Sequence, residues 1–556
     1  MSKQFIEKAL FNRLQKKVIS VPRYLPEDAF ASNQASVTEI ETLPPSNHDS
    51  LEPALELTVR ESISSFFDKS KFKSPRKLSS QSAVEFTTPF DKRVFEFKID
   101  RDSSNDLSVF NTSGVTPYDV YNLNYDGLRV GGGRERINSG WDKRLSVTGL
   151  LVNKWCELNT MYKIYSRFEK ILTPQMMRGS VKHGQLESLA HPIDVDLVRR
   201  FMEMMPEELS KEEKYSESVV DSIVKLVNLM INGEARELKF HHFIDRKTNV
   251  FVTGGSDLKD ENMLGNRYIL VSAIVDHLSI RDMNPIHRLR FKDYPFSGTF
   301  DDLRNDFLGF SEDIGPKLTI SDVKTRSIPS IPAQANVVNS SKLQVSLYRK
   351  MLGLLSSSPN TYEVLIQTAK RHGVDVDAAL SPLLALRFSE QLPFFESDFK
   401  ELMEGIFPIN YPYPLRNQSP SSELEENVVS SAERNFANYV YLLNKWKQPL
   451  TLRYFLHRYS TLLNALSSQL NNSDELELDY YHSDFGSFAQ IKFQYDGPTS
   501  DMELESNVKF WLGQRPAKPI DPTYKNFSTY CTSCEYKKIC IWKSYHEKLP
   551  FKTDFH

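Results

Sequence analysis

Cysteine is almost absent from this chain, with four residues in 556. A disulfide-stapled secreted scaffold carries far more in a much shorter chain, so these thiols are expected to be reduced and free to hold a metal. Long apolar runs are missing too, and none approaches a membrane span, so a soluble protein with no membrane partner is expected. Charge of one sign is also lacking: the formal net charge is −3. No global basic field draws in nucleic acid, and any DNA-binding surface must gather its positive charge in a groove or channel. No internal repeat is evident.

What is present is globular in character, with 40% apolar and 12% aromatic residues. The length allows two or three domains' worth of core, or one elaborated domain. At the start, Lys3, Lys8, Arg13, Lys16, Lys17 and Arg23 face a single acid, Glu7, while Ile6, Leu10, Leu14 and Val18 recur every four residues. A basic, acid-poor amphipathic stretch over 1–25 suits a mitochondrial targeting segment and equally an ordinary surface helix. Residues 26–140 read as a poorly ordered arm. Ser, Pro, Thr and Glu dominate 30–85, a short helix is expected around Leu57–Phe67, and Gly131–Gly133 marks an irregular loop.

Order is expected from near Leu145. A helix carrying Cys156 spans Ser146–Arg167, and a loop over Arg178–Glu187 leads into a second helix. Strands follow at Asn249–Gly254, at Arg267–Val275 ending on Asp276, and at Lys317–Val323 ending on the Asp322–Lys324 pair. Residues 281–316 form a polar, aromatic insertion between the last two strands. A helix covers Lys342–Leu355, and 360–520 reads as mostly helical with a break at Pro408–Ser422. The order helix, strand, strand, helix predicts an α/β core.

Asp276 sits at the end of an apolar strand, where a charge needs a reason to exist. Asp322 and Lys324 are two apart and share a strand face. Two converging carboxylates can hold Mg²⁺, and the lysine can orient water and offset phosphate charge, as metal-assisted phosphodiester hydrolysis requires. Taken alone, a D-x-K tripeptide arises often by chance and usually marks a solvated strand edge. His183 and Glu187 are four apart, as are Gln344 and Tyr348, so each pair shares a helical face and can reach a metal or phosphate, or simply pack. Cys531, Cys534 and Cys540 form C-x2-C-x5-C with Cys156 as a distant fourth. Four thiolates suit tetrahedral zinc or a cubane iron–sulfur cluster. The uneven spacing is unlike a zinc ribbon, and Tyr530, Tyr536, Ile539 and Trp542 offer an apolar shell.

In shared order these residues resemble the exonuclease V family, the eukaryotic iron–sulfur branch of RecB-type nucleases in the PD-(D/E)xK superfamily. The resemblance rests on the Cys156 stretch, Gly179-x3-His183-x3-Glu187, Ile274-Val275-Asp276, SDVKTR over Ser321–Arg326, LQVSLYRKML with Gln344 and Tyr348, and FWLGQR followed by the three cysteines. It implies a RecB-like core over 141–556 with a helical insertion at about 360–520 and a cluster segment at 531–542. It further implies that His183, Asp276 and Asp322 bind catalytic Mg²⁺ or Mn²⁺; Glu187 fits the motif and is a further candidate metal contact, with that contact open. Lys324 would be essential for hydrolysis, assisted by Gln344 and Tyr348, and Cys156, Cys531, Cys534 and Cys540 would hold a [4Fe–4S] cluster.

The implied activity is exonucleolytic hydrolysis of single-stranded DNA from a free end into short oligonucleotides, by a monomer. Single-stranded DNA is the implied partner, and a single-strand-binding protein is a candidate that the residues do not specify. The implied setting is mitochondrial DNA maintenance or repair, with the nucleus or cytoplasm as the alternative, and fungal relatives suggest a 5′ preference. Two departures stand out: a longer insertion after Asp276, and Asp rather than the frequent Glu at 322. The competing readings are a DNA-binding scaffold on a decayed nuclease core and a zinc-stabilised interaction module.

Overall fold

The computed structural model describes residues 116–119, 121, 144–152, 156–166, 174–191, 209–253, 267–281, 298–314, 317–406, 408, 448–467, 470, 474–538 and 540–547. The segments read as targeting sequence, most of the N-terminal arm and nearly all of the Pro408–Ser422 break lie outside these residues.

A mixed sheet organises the chain. Its strands are β1 (Leu145–Ser146), β2 (Glu234–Asp245), β3 (Tyr268–Arg281), β4 (Lys317–Arg326), β5 (Glu475–His482) and β6 (Gly486–Gln494). The helices are α1 (Val147–Leu150), α2 (Glu157–Ser166), α3 (Pro174–Ala190), α4 (Lys211–Asn232), α5 (Phe300–Ile314), α6 (Ala335–Ser357), α7 (Thr361–Arg371), α8 (Pro382–Gln391), α9 (Phe394–Glu404), α10 (Leu452–Ala465), α11 (Gly497–Trp511) and α12 (Ile541–His546). Central β3 is almost continuously apolar because it is covered on both faces: Ile269, Leu270, Val271, Ala273, Val275 and Leu278 are all buried.

One edge of β3 pairs antiparallel with β2 along nearly its whole length. The other edge is shared. β1 pairs in parallel at Val271 and Ser272, and β4 pairs antiparallel only from His277 to Arg281. Between these two partners β3 and β4 part, and β4 continues beside parallel β5. The fork so created opens at Asp276.

The helices hold this fork in place. α4 starts with a Ser210–Glu213 capping box and ends at Gly233, whose φ of 74° favours glycine and turns the chain into β2. α4 packs on β2 and α10, α3 on β2 and β4, and α6 on β4 and β5. The 281–316 insertion carries α5, whose Phe300 joins Phe388, Phe394, Phe395, Phe399, Tyr454 and Phe455 in an aromatic core. Within it Arg458 forks onto Asp398 at 2.6 and 2.8 Å. The insertion therefore supplies a packing element.

Several elements differ from the sequence reading. The chain over 178–187 is interior to α3, not a loop; the helix passes close to β4 at Gly179, which faces Thr325. β3 and β4 run on past Asp276 and Lys324, since neighbouring strands keep pairing with them. The strand expected at 249–254 shrinks to one bridge between Phe251 and Ile244, and β2, not anticipated, takes its place. The 360–520 stretch, expected to be mostly helical, contributes β5 and β6.

The helix expected over 146–167 is broken, so Cys156 precedes α2 rather than lying inside it. The break has a cause. Glu157, the first residue of α2, accepts both arms of the Arg515 guanidinium at 2.6 and 2.9 Å and the Lys518 amide at 2.7 Å. Removing one partner of such a buried pair strands the other, so Glu157→Ala should lower unfolding stability by about 3 kcal/mol in urea titrations. An unchanged midpoint would show that the fork does not fasten the C-terminal segment to α2.

Candidate active site

The strand register sets three carboxylates in one row. Arg236↔His277 and Leu238↔Val275 bracket Glu237, placing it opposite Asp276. The last β3–β4 pair is His277↔Ser321, so Asp276 and Asp322 face each other one step beyond it, at the fork. There Asp276 Oδ2 accepts the Val323 amide at 2.8 Å, so a side chain takes over from the ladder where the strands part.

His183 reaches the row from α3. Its Nδ1 lies 3.0 Å from Glu237 Oε1 and 3.9 Å from Asp276 Oδ2. One ligand atom from each of His183, Glu237 and Asp276 lies within 4.8 Å of the others. One imidazole nitrogen and two carboxylate oxygens, partly open to solvent, make a donor set that fits a hard divalent cation.

Glu237 was missed from the sequence. Set among the charged Glu234, Arg236 and Lys239 it carries no local signal, and its meaning depends on Asp276 lying across the ladder. Its φ of 55° is in the left-handed region, rare for a side chain in mid-strand. Lys225 pins the distorted backbone by donating to Glu237 O at 3.0 Å while pairing with Glu187 at 3.1 Å and Asp221 at 3.0 Å. Glu187, expected as a metal contact, is thus directed to Lys225, one turn along α3 from His183.

Asp322 belongs to a second, interlocked group. Lys324 Nζ sits 2.6 Å from Asp322 Oδ2 and donates to Gln344 Oε1 at 3.2 Å. The Gln344 amide donates to Asp322 Oδ1 at 2.7 Å and to the Tyr348 hydroxyl at 2.8 Å. Its acceptor and its donor side are both committed, so the amide has one orientation and locks the Lys324 ammonium beside the carboxylate row. Asp322 is buried and held by these partners, which is why it stands apart from the His183–Glu237–Asp276 trio.

Crowding governs protonation here. Burial and the Asp322 and Glu237 carboxylates raise Asp276 well above the usual carboxylate range, against the pull of His183 and Lys324. Burial alone would lower His183, but its bond to Glu237 and the nearby Asp276 and Asp322 outweigh that and raise it. Lys324 is likewise opposed by burial and raised by Asp322. The row is short of positive charge.

The four cysteines meet far along the chain. Cys156, Cys531, Cys534 and Cys540 line one cavity with Leu158, Tyr162, Tyr536 and Trp542, and none forms a disulfide. Tyr162 stacks on Tyr536 and Phe527 on Trp542, giving the apolar walls. Burial and the neighbouring thiols push Cys531 up to about 12, and burial also raises Cys156 and Cys540. Such thiols ionise only against a bound cation. No three of their sulfurs lie within 4.8 Å of one another. Around one tetrahedral zinc ion, sulfurs bonded at about 2.3 Å stand roughly 3.8 Å apart. This cage is wider.

Residues 135–543 match the family described as "Exonuclease V - a 5' deoxyribonuclease". "Exonuclease V, mitochondrial" of Kluyveromyces lactis is 33% identical over 470 residues, covering 78% of this chain and 80% of that protein. The proteins of the same name from Vanderwaltozyma polyspora and Saccharomyces cerevisiae (strain YJM789) are 31% and 30% identical, covering 77% and 74% of this chain and 78% and 76% of their own.

Two outcomes follow from the geometry. Glu237→Gly relieves the left-handed backbone and removes a ligand, so it should raise the metal-free Tm, by about 1 kcal/mol in stability, while weakening divalent-cation binding. A lowered Tm would show that the conformation carries no strain. In the metal-free protein, Asp276 and His183 bind protons more tightly folded than unfolded. Stability therefore falls as pH rises, from about 3.9 for Asp276 and about 6.5 for His183 up through their raised folded values. Added Mg²⁺ should raise Tm more at about pH 8 than at about pH 6, because it replaces those protons. Equal increments would mean that proton and metal do not compete.

Proposed function

The chain belongs to the exonuclease V family, and we propose that it degrades single-stranded DNA from the 5′ end by metal-assisted hydrolysis on a PD-(D/E)xK core. The observation that carries this reading is the Glu237–Asp276–Asp322 row at the β3–β4 fork with Lys324 locked against it. His183, Glu237 and Asp276 would hold the divalent ion, with Asp322 beside them. A divalent ion bound there supplies Lewis-acid stabilisation of phosphoryl oxygens and a water of lowered pKa.

The chain's own groups do the rest. The Lys324 ammonium offsets phosphate charge and orients the attacking water, held by Asp322 and Gln344 so that it need not reorganise. Tyr348, bonded to Gln344, sets the amide that sets the lysine. A decayed scaffold has no use for a lysine, amide and carboxylate interlocked in this way, which favours the catalytic reading.

The same reading assigns a [4Fe–4S] cluster to Cys156, Cys531, Cys534 and Cys540. It is supported by the convergence of all four cysteines on one cavity, its apolar walls and thiols that resist ionisation without a cation. Its role is structural: it joins the start of α2 to the C-terminal segment across a loop of several hundred residues. Mitochondrial localisation is supported by the names of the fungal relatives and by the basic, acid-poor stretch over 1–25. Action there on DNA ends fits maintenance or repair.

The test uses anaerobically purified full-length protein in Mg²⁺ with linear single strands labelled at either end and a circular single strand. Linear strands should be shortened with the 5′ label released first, and the circle spared. Asp276→Ala and Lys324→Ala should each abolish cleavage, a loss above a thousandfold, while keeping the brown absorbance. Cleavage persisting in either variant would sink the site assignment; a cut circle would sink end-dependence. Cys534→Ser should lose colour, solubility and DNA binding together, and a soluble, fully active variant would refute the structural role.

A further inference from the structure

Beyond Lys324 the two parallel strands β4 and β5 run side by side, pairing Lys324↔Tyr480, Thr325↔Tyr481 and Arg326↔His482. Four buried polar atoms in this short stretch lack a hydrogen-bond partner: Tyr480 Oη, Arg326 Nε, Thr325 Oγ1 and Ser483 Oγ. Tyr480 is only 1% exposed. Among the described residues no carboxylate pairs with the Arg326 guanidinium. Thr325 alternates to the other face of β4 and Ser483 lies past the end of β5, which leaves Arg326 Nε and Tyr480 Oη together on the Lys324 face. Buried donors without partners are destabilising and uncommon in native proteins, so this pair calls for a ligand that bonds it.

Their placement says which ligand. Alternate strand residues share a face, so Asp322, Lys324 and Arg326 stand in line, with Tyr480 level with Lys324 on the neighbouring strand. The Tyr480 hydroxyl is raised by burial and feels Lys324, Arg326 and Asp322, which puts it among them. Arg326 lies about 6.6 Å along the strand from Lys324, of the order of one nucleotide step. A guanidinium fork beside a hydroxyl donor recognises phosphate oxygens. Past Arg326, Phe485 is 83% exposed and stacks on His482 at 4.5 Å between ring centroids, a platform on which a base can stack.

We propose that Arg326 and the Tyr480 hydroxyl form a phosphate-binding subsite that holds an internal phosphodiester of the bound strand next to the one cleaved at Lys324. They are positioning residues: they fix the strand's register, and Lys324 faces the reacting phosphate. The subsite rests on the nuclease reading for the identity of its ligand, but its test reads binding and not cleavage.

The probe is a labelled single-stranded oligonucleotide in which one phosphodiester at a time becomes a neutral methylphosphonate, with binding followed by anisotropy in Ca²⁺ in place of Mg²⁺. The wild-type protein should bind about tenfold more weakly when one particular internal linkage is neutral. Arg326→Gln should bind the unmodified strand about tenfold more weakly, lose nothing further at that linkage, and show a salt slope shallower by about 0.7. Tyr480→Phe keeps the ring's packing and should weaken binding at the same linkage, so it reports on the subsite even if Arg326→Gln misfolds.

Equal losses in wild type and both variants at every linkage would overturn the proposal, as would a wild type indifferent to every linkage. A difference that disappears on removing a 5′-terminal phosphate, with no internal linkage involved, would overturn the internal assignment. The expected binding pattern without any cleavage in Mg²⁺ would sink the nuclease reading and leave the subsite standing.

Discussion

Repulsion among three carboxylates is the constraint on which the rest of this structure depends. Glu237, Asp276 and Asp322 are opposed across adjacent strands, where like charges destabilise, and the sheet tolerates them because every neighbour offsets part of the repulsion. His183 comes in on α3, Lys324 lies along β4, and Gln344 holds the lysine from α6. Lys225, itself buried, stabilises the backbone of Glu237 from beneath. Each contact comes from a different element, so the helical layers around the sheet serve to hold one patch of charge at a fork.

The fork has its own cause. β3 is claimed by β1 near Val271 and by β4 from His277 onward, and the two claims leave a short unpaired interval. In a continuous sheet Asp276 would be confined to a flat ladder with no room for a third atom between the strands. Here its carboxylate bridges to the Val323 amide and the strands separate around it. Beyond the fork β4 pairs with β5, which brings Tyr480 and Arg326 into line with Asp322 and Lys324. Strand pairing thus sets both where the carboxylates gather and which residues stand in line with them.

A second fastening lies apart from the first. The cysteine cavity and the Glu157–Arg515 fork both join α2 to the C-terminal segment, one by thiols and the other by a buried ion pair. Across so long an intervening chain, loop-closure entropy opposes any single contact, and two neighbouring fastenings share that cost. Neither touches the carboxylate row, and so loss of the cysteines and loss of Lys324 should differ in kind.

Much of the site was legible in the chain alone. Asp276, Asp322, Lys324, Gln344, Tyr348, His183 and the four cysteines are chemically conspicuous residues in a fixed order, and they could be named before any coordinates. The α/β class followed from apolar periodicity, which is a local property. What the sequence could not decide were relations between distant segments. Glu237 has meaning only when β2 lies beside β3, and Glu187 left the metal group only because Lys225 approaches from α4. Tyr480 and Arg326 became a pair only when β5, hidden in a stretch that reads as helical, docked on β4. Periodicity and residue chemistry are carried by a few neighbouring residues, so the sequence determined them. Strand pairing and the balance of buried charge join residues tens to hundreds of positions apart, and only the tertiary structure decided those.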